Sequence, residues 1–368
     1  MKEALEMLMF QTDRFEHMLS TRTKFIKAGL EGCYLSGAHH FAKTFLGGLG
    51  AILTLHHVRP SHDGEFQPNR LLEITPDFLE SVIVRLRAEG FDIVNLDEAT
   101  RRMNEPGKHN KFIVLTFDDG YRDILTYAYP LLKKHNCPFT VYIPTAFPDG
   151  EGLLWWRALE HVIVERSVVT IETEGEPRIY LTGSTEEKYE AFRDLYWWAR
   201  TLDDKSLRQF MRNFCASFHF DMKEACRKDC MNWQEIAILA SDPLVTIGAH
   251  TVDHPNLSKV DKSELLSQIR EGVRILEAAL GKRPEHFSYP YGSLDAAGLR
   301  EFEITRELGF STAVTTRPGI LYEEHTNHLH ALPRVSLNGD YQAVRYLDVM
   351  LSGLPFYVWN GFERISVA

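Results

Sequence analysis

Short apolar runs alternate with longer amphipathic stretches through most of the chain. The apolar runs, rich in β-branched and aromatic residues, predict strands that are buried on both faces. The stretch TPDFLESVIVRLRAEGF predicts a helix, because Thr75 can cap it, Pro76 suits its first position and Gly90 can end it. Further strands are predicted from AILTLHHV, FDIVNL, KFIVLTFDDG and PFTVYIPT, and another helix from ILTYAYPLLKKHN. This alternation predicts an α/β fold with a parallel sheet.

The alternation is interrupted between about 150 and 235. This region has few strand-like runs beyond SVVTIETE and RIYL, and it contains amphipathic stretches such as EEKYEAFRDLYWWARTL. It therefore predicts a mostly helical insertion, since the alternation resumes with LVTIGAHT and continues to LHALPRVSL. Helical periodicity also predicts an N-terminal helical extension over 1–47. We expect the main domain to span 48–350 and a C-terminal tail to span 351–368.

The composition is that of a soluble globular protein, with 44% apolar and 25% charged residues over 368 positions. A formal net charge of −10 argues against nucleic acid or an anionic membrane as a partner, since both favour a basic face. The five cysteines are too few and scattered for a disulfide framework. The sequence shows neither a signal peptide nor an apolar stretch long enough to span a membrane. These features predict a cytoplasmic protein.

Polar side chains stand where several predicted strands end. Asp118 and Asp119 follow VLTF, and His250 follows LVTIGA, with His254 four residues further on. AILTL likewise ends before His56 and His57, and the strand in HFSYPYG leads to Pro290, Tyr291 and Gly292. In a barrel of parallel strands, the carboxyl ends of the strands form the face on which active sites are built. The sequence therefore predicts a site at that face.

The residue types in this group suggest metal-assisted chemistry. Two histidines and one carboxylate are a common ligand set for a catalytic divalent ion and leave positions open for water and substrate. A second carboxylate can then take a proton from the metal-bound water, whose pKa the ion lowers. This interpretation gives the adjacent Asp118 and Asp119 separate roles. By itself, however, the DDG sequence also fits an ordinary turn.

Three motifs in this order resemble the polysaccharide deacetylases of the NodB homology family, carbohydrate esterase family 4. They are TFDDG, HTVDHPNLS and FSYPYG, within roughly residues 50 to 340. The resemblance implies a distorted (β/α)7-type barrel and a divalent metal, often zinc. It also implies a hydrolase that removes acetyl groups from N-acetylated or O-acetylated saccharides.

The resemblance also implies roles for individual residues. Asp118 is similar to the catalytic base of the family and Asp119 to its metal-binding carboxylate. His250 and His254 are similar to the metal-binding histidines. Tyr291 matches the aromatic residue of the third motif, whose backbone N–H is expected to donate to the oxyanion of the tetrahedral intermediate.

The sequence departs from the family pattern at two of these roles. The third motif usually begins with an arginine that pairs with the catalytic aspartate, but Ser288 and Tyr289 stand at this point. We expect Arg334, in LPRVSL, to pair with Asp118 instead. The general acid of the family is a histidine in a late motif, which NHLHALPR matches poorly with His328 and His330. His330 is our candidate, and histidine has a suitable pKa.

Three further residues are candidates for contact with the substrate. His56 either lines the pocket or supports its wall, and Pro290 belongs to the third motif. Trp155, in GLLWWRALE, could stack on a sugar ring, although helix core is the other use of an indole at this position.

Two other functions remain compatible with the sequence. A deformylase or amidohydrolase could act on a formamido sugar or a small amide with the same residues. A carbohydrate-binding protein on the same scaffold would not need the metal ligands and the base. We expect an acetylated saccharide as the partner in the first interpretation.

Overall fold

Seven parallel strands form the centre of the molecule in the computed structural model, which describes residues 15–172 and 175–367. Neighbours in the chain are neighbours in the sheet, and the last strand pairs with the first through Leu53 and Val335, so the sheet closes into a barrel. The barrel confirms the expected (β/α)7-type fold. Its strands are β1 (Gly50–Leu55), β2 (Phe112–Phe117), β3 (Phe139–Ile143), β4 (Val245–Ala249), β5 (His286–Ser288), β6 (Thr312–Pro318) and β7 (Leu332–Ser336).

Helices surround this barrel. Thr75 caps the helix Pro76–Ala88 as predicted, with its side chain accepting from the Phe78 N–H at 3.2 Å. The strand predicted in FDIVNL is shorter than expected, because Asn95 already caps the next helix, and only Asp92–Ile93 pairs with the start of β2. The other helices against the barrel are Leu96–Met103, Tyr129–Lys134, Lys262–Leu280, Leu299–Glu307 and Val344–Leu351, and a π-helical turn covers Ile124–Ala128.

The segment between β3 and β4 contains the region predicted as an insertion. Its two strands, Val168–Ile171 and Arg178–Leu181, form an antiparallel hairpin. Its buried side chains, Leu195 and Met211 among them, belong to the same apolar core as the barrel-facing helices. Its helices are Trp155–Glu165, Thr185–Ala199, Asp204–Phe218, Met222–Asp229 and Trp233–Ala240.

Helices from both ends of the chain pack near one another. The helices Phe15–Leu35 and Ala38–Leu46 precede β1, and the helix Leu354–Trp359 lies in the segment predicted as a tail. The Tyr322 hydroxyl donates to the Leu46 carbonyl at 2.7 Å, which ties this end to the barrel. The first part of the predicted extension, residues 1–14, lies outside the described residues. None of the helices described here has the length and apolar character needed to cross a bilayer.

The barrel interior changes from apolar to polar along the strands. Ile52, Val114 and Leu332 belong to a buried apolar cluster in the lower part. Arg334 and Ser288 are buried further along β7 and β5, toward the carboxyl ends. The polar residues singled out in the sequence therefore lie above the apolar cluster that fills the lower part of the barrel.

Candidate active site

Residues that directly follow β2 and β4 meet in one buried cluster. Asp118 and Asp119 continue β2 and are 3% and 4% exposed, while His250 continues β4 and is 1% exposed. His254 follows on the loop after β4. Because these strands are parallel, their carboxyl ends lie at the same end of the barrel, as the sequence predicts.

The Asp119 carboxylate faces two imidazoles. Its Oδ1 lies 3.5 Å from His250 Nε2 and 3.4 Å from His254 Nε2. These distances are long for hydrogen bonds, and Oδ1 is buried with no hydrogen-bond partner in the part of the chain that the structure describes. The three potential ligand atoms all lie within 4.8 Å of one another. A divalent ion would give Oδ1 the partner that it lacks, so these residues fit a metal.

The protonation states of Asp119 and His254 also suit a metal. Burial alone would raise the pKa of Asp119, but His254 and His250 hold it below its ordinary value. Burial lowers the pKa of His254 to about 4. The cluster therefore presents an ionised carboxylate and a neutral imidazole, which are the forms that bind divalent ions.

A main-chain carbonyl on the neighbouring strand orients His250. Its Nδ1 donates to the Ser288 carbonyl at 2.6 Å, which directs the lone pair of Nε2 toward Asp119. Such a partner behind a ligating histidine fixes both the tautomer and the orientation of the ring. From the sequence, Ser288 stands only at the point where the third motif usually has an arginine. Its carbonyl role could be anticipated only from the pairing of β4 with β5.

Asp118 has a different set of partners. Arg334 donates from Nη1 to Oδ1 at 2.9 Å and from Nη2 to Oδ2 at 2.6 Å, and both residues are buried. Ser288 Oγ lies 3.4 Å from Oδ2 and accepts from Arg334 Nη2 at 3.2 Å. Burial alone would raise the pKa of Asp118, but the Arg334 guanidinium lowers it overall, so the carboxylate stays ionised.

Arg334 is itself fixed within the barrel. Its Nε donates to the Thr315 carbonyl at 2.7 Å, and Nη1 donates to Thr116 Oγ1 at 3.2 Å. The guanidinium on β7 therefore binds the Asp118 carboxylate in a fixed, bidentate geometry. The structure brings together the pair that the sequence analysis expected.

The backbone is strained at the same place. Among the described residues other than glycine, four with positive φ belong to the cluster or its rim: Asp119 (69°), Thr251 (68°), His254 (58°) and Tyr291 (60°). Left-handed backbone at such residues costs energy and persists where the surroundings enforce it, which happens most often at functional sites. At Asp119 this conformation separates its side chain from that of Asp118.

Tyr291 lies against His254. Its ring centroid is 5.0 Å from that of His254, and its Oη accepts from Trp155 Nε1 at 3.0 Å. Pro290, which precedes it, is buried and its carbonyl accepts from the Gly292 N–H at 2.7 Å. Trp155 is only 1% exposed and packs on Tyr196, so of the two uses that the sequence left open it serves the helix core, and its face is not open to a sugar.

The two histidines after β1 have different surroundings. His57 donates from Nδ1 to Asp123 at 2.6 Å and stacks on Tyr121 with centroids 3.6 Å apart. Burial lowers the pKa of His56 overall, and the charges of Asp118 and Asp119 act against that effect. The two carboxylates thus act on His56, whereas the contacts of His57 are to Asp123 and Tyr121.

His330 is not brought to this cluster. It precedes β7, and its Nε2 donates at 2.8 Å to the carbonyl of Phe310, which precedes β6. Both residues lie at the amino ends of the strands, whereas the cluster lies at the carboxyl ends. The poor fit of the late histidine motif was the signal for this in the sequence.

Comparisons with known proteins agree with this architecture. A deacetylase PplD from Streptococcus pyogenes, in complex with acetate, is similar with a TM-score of 0.54 and 17% identity, over 81% of this chain and 95% of that chain. IcaB from Ammonifex degensii is similar with a TM-score of 0.50 and 18% identity, over 82% of this chain and 97% of that chain. A de-N-acetylase from Aggregatibacter actinomycetemcomitans is similar with a TM-score of 0.52 and 14% identity, over 82% of this chain and 99% of that chain. Among proteins with curated descriptions, none matches this chain.

The family itself is identified from the sequence profile. The polysaccharide deacetylase profile matches residues 105–191 and 201–313, which contain Asp118, Asp119, His250 and His254. Its two matched segments also include part of the helical insertion. The chain belongs to the polysaccharide deacetylase family, whose members are hydrolases that act on the carbon–nitrogen or ester bonds of acetylated polysaccharides.

Proposed function

We propose that this chain is a metal-dependent hydrolase that removes acetyl groups from an N- or O-acetylated saccharide. The observation that carries the proposal is the division between two adjacent carboxylates. Asp118 is bound on both oxygens by Arg334, whereas Asp119 Oδ1 has no hydrogen-bond partner among the described residues and faces His250 and His254. One carboxylate is thus available for a metal and the other for a proton.

Asp119, His250 and His254 would hold the metal, and zinc is the ion that we expect for two nitrogen ligands and one oxygen ligand. When bound, such an ion lowers the pKa of water and polarises an acetyl carbonyl. The hydrogen bond from His250 to the Ser288 carbonyl keeps the ligating nitrogen directed at the site.

Asp118 accepts the proton of the attacking water. A carboxylate has four lone-pair positions, so the two bonds from Arg334 leave room for a water molecule. Arg334 keeps Asp118 ionised despite its burial, and Ser288 helps to hold both groups in place. Arg334 is therefore a positioning residue for the base.

Tyr291 donates its backbone N–H to the oxyanion of the tetrahedral intermediate. In support, this N–H donates to no oxygen of the described residues, although its neighbour Gly292 does. The Tyr291 carbonyl is held by Thr316 Oγ1 at 2.6 Å, which fixes the orientation of the peptide on that side. A donor held in advance at the developing charge is a large contribution to acyl transfer.

His56 replaces His330 as the proposed proton donor to the leaving group. Burial lowers the pKa of His56, but the charges of Asp118 and Asp119 act in the other direction and favour the protonated form that a proton donor needs. Its ring makes no hydrogen bond to the residues that the structure describes, in contrast to His57 and His330. An imidazole free of other partners can turn toward a leaving amine or alcohol.

Acetate release by the metal-reconstituted protein tests this function. The panel contains N-acetylglucosamine oligomers, acetylated xylan and an acetylated sugar nucleotide, with Asp118→Asn as the control. We expect release from at least one member and a loss of at least about 100-fold in the variant. Release of formate from a formamido sugar without any acetate release would instead support the deformylase. Metal binding without any hydrolysis would contradict the proposal.

A further inference from the structure

The oxyanion donor proposed above depends on a backbone conformation that Tyr291 would not adopt by itself. Its φ is 60°, and the following Gly292 has φ 63°. The direction of the Tyr291 N–H is set by these angles, so the surroundings must hold them. Thr316, on β6, holds this conformation with two hydrogen bonds. Its Oγ1 donates to the Tyr291 carbonyl, and its N–H donates to the Gly292 carbonyl at 2.9 Å.

The helical insertion holds the side chain of Tyr291 from the other side. Trp155 Nε1 donates to the Tyr291 hydroxyl at 3.0 Å, and the Arg200 guanidinium lies 4.7 Å from the centroid of the ring. The His254 ring also packs against Tyr291, at 5.0 Å between ring centroids. Tyr291 is thus enclosed by two residues of the insertion and one metal-binding residue.

These two insertion residues are themselves anchored. Trp155 is buried and packs on Tyr196, with centroids 4.8 Å apart. Arg200 pairs with Asp295 at 3.2 Å, and its carbonyl accepts a hydrogen bond from Lys259. Asp295 and Lys259 lie on loops that follow β5 and β4. The contact with Tyr291 is therefore part of a fixed joint between the insertion and the rim of the barrel.

We infer that the insertion aligns the oxyanion donor: Trp155 and Arg200 are positioning residues that act on the reaction through the side chain of Tyr291. The inference rests on the proposed function for the chemistry, but the structural part stands on its own. The insertion then determines the rate of the chemical step, in addition to shaping the entrance to the site. A donor displaced by a fraction of an ångström stabilises the transition state less, while substrate binding changes little.

A double-mutant cycle over one hydrogen bond tests this. Trp155→Phe keeps an aromatic ring against Tyr196 and removes the donor, and Tyr291→Phe keeps the backbone N–H and removes the acceptor. We expect each single variant to lower kcat about tenfold, with KM within about twofold of the wild-type value, and the double variant to be no slower than either. Arg200→Met should lower kcat in the same way.

Trp198→Phe is the matched control, because Trp198 packs on Phe210 and Arg178 in the same insertion. It should leave kcat unchanged. A loss confined to KM in Trp155→Phe, additive losses in the double variant, or an equal loss in Trp198→Phe would each overturn the inference.

Amide hydrogen exchange separates this inference from the proposed function. In Trp155→Phe and in Tyr291→Phe, we expect exchange at the Gly292 and Thr316 amides to be at least about threefold faster than in the wild-type protein. Trp198→Phe should not change it. This readout needs no substrate, so it still decides the inference if the wild-type protein releases no acetate. Unchanged exchange in both single variants would overturn it.

Discussion

Asp118 and Asp119 are adjacent in the chain, yet their carboxylates have separate partners. The left-handed backbone at Asp119, with φ 69°, directs its side chain toward the histidines. Asp118 continues the direction of β2 and meets Arg334 inside the barrel. At the scale of the residue, two like charges are tolerated because each faces groups of opposite or complementary character.

The pH dependence of Arg334→Met tests the role of Arg334. Without the guanidinium, burial would raise the pKa of Asp118, so less of the base would be ionised on the acidic side. We expect the acidic limb of the kcat/KM profile to move to higher pH, with a larger loss of rate at pH 6 than at pH 9. Arg334→Lys keeps the positive charge, so the acidic limb of its kcat/KM profile should move less than that of Arg334→Met. An unchanged profile in Arg334→Met would rule this role out.

The leaving-group dependence of His56→Gln tests the proposed proton donor. Glutamine has a similar size but cannot donate a proton as an acid. We expect the rate on an acetamido sugar to fall roughly 100-fold or more, because an amine must be protonated as it leaves. An activated aryl acetate needs no such proton and should lose much less. Equal losses on both substrates would show that His56 has another role.

The sequence predicted which charged residues meet in this site more completely than it predicted the contacts that hold them. The motifs at strand ends pointed to Asp118, Asp119 and the two histidines, and the place of Arg334 on a late strand pointed to its contact with Asp118. The carbonyl role of Ser288 could not be predicted, because it depends on which strands are neighbours. The sequence left the use of Trp155 open between the helix core and a sugar, because the Tyr196 ring that packs on it lies on a separate helix, Thr185–Ala199.

At the scale of the element, parallel strands bring the site together. The alternation of apolar strands and amphipathic helices predicts these strands, and their closure puts β2, β4, β5 and β7 around one point. The interior must be narrow for the side chains to meet. Gly248, on β4, provides the room for the Tyr142 ring on β3.

Gly248→Ala tests this packing. A Cβ on residue 248 would lie 2.4 Å from Tyr142 Cδ1 and 3.1 Å from the His286 carbonyl oxygen, which is too close without a shift. We expect the free energy of unfolding in urea to fall by about 1–3 kcal/mol. Gly29→Ala is the control, because an added Cβ there meets no atom within 4 Å apart from the chain neighbours and the nearby backbone of its own helix, and it should not destabilise the protein. A variant as stable as the wild-type protein would show that the strands can separate at little cost.

At the scale of the whole molecule, a barrel and an insertion share one rim. The barrel supplies Asp118, Asp119 and Arg334, and the segment between β3 and β4 contacts Tyr291, which packs on His254. The sequence predicted the barrel and the end of the strands at which these residues lie. It did not predict the joint between the barrel and this segment, because the aromatic contacts across it involve residues far apart in the chain.

We propose that Asp119 binds the metal and that Asp118 accepts the proton. Metal content and acetate release, measured together in Asp118→Asn and Asp119→Asn, test it most directly. We expect Asp118→Asn to keep the metal content of the wild-type protein and to lose at least about 100-fold in rate. Asp119→Asn should lose both metal and activity, because it removes a ligand. Loss of metal in Asp118→Asn, or retention of metal and activity in Asp119→Asn, would contradict the account.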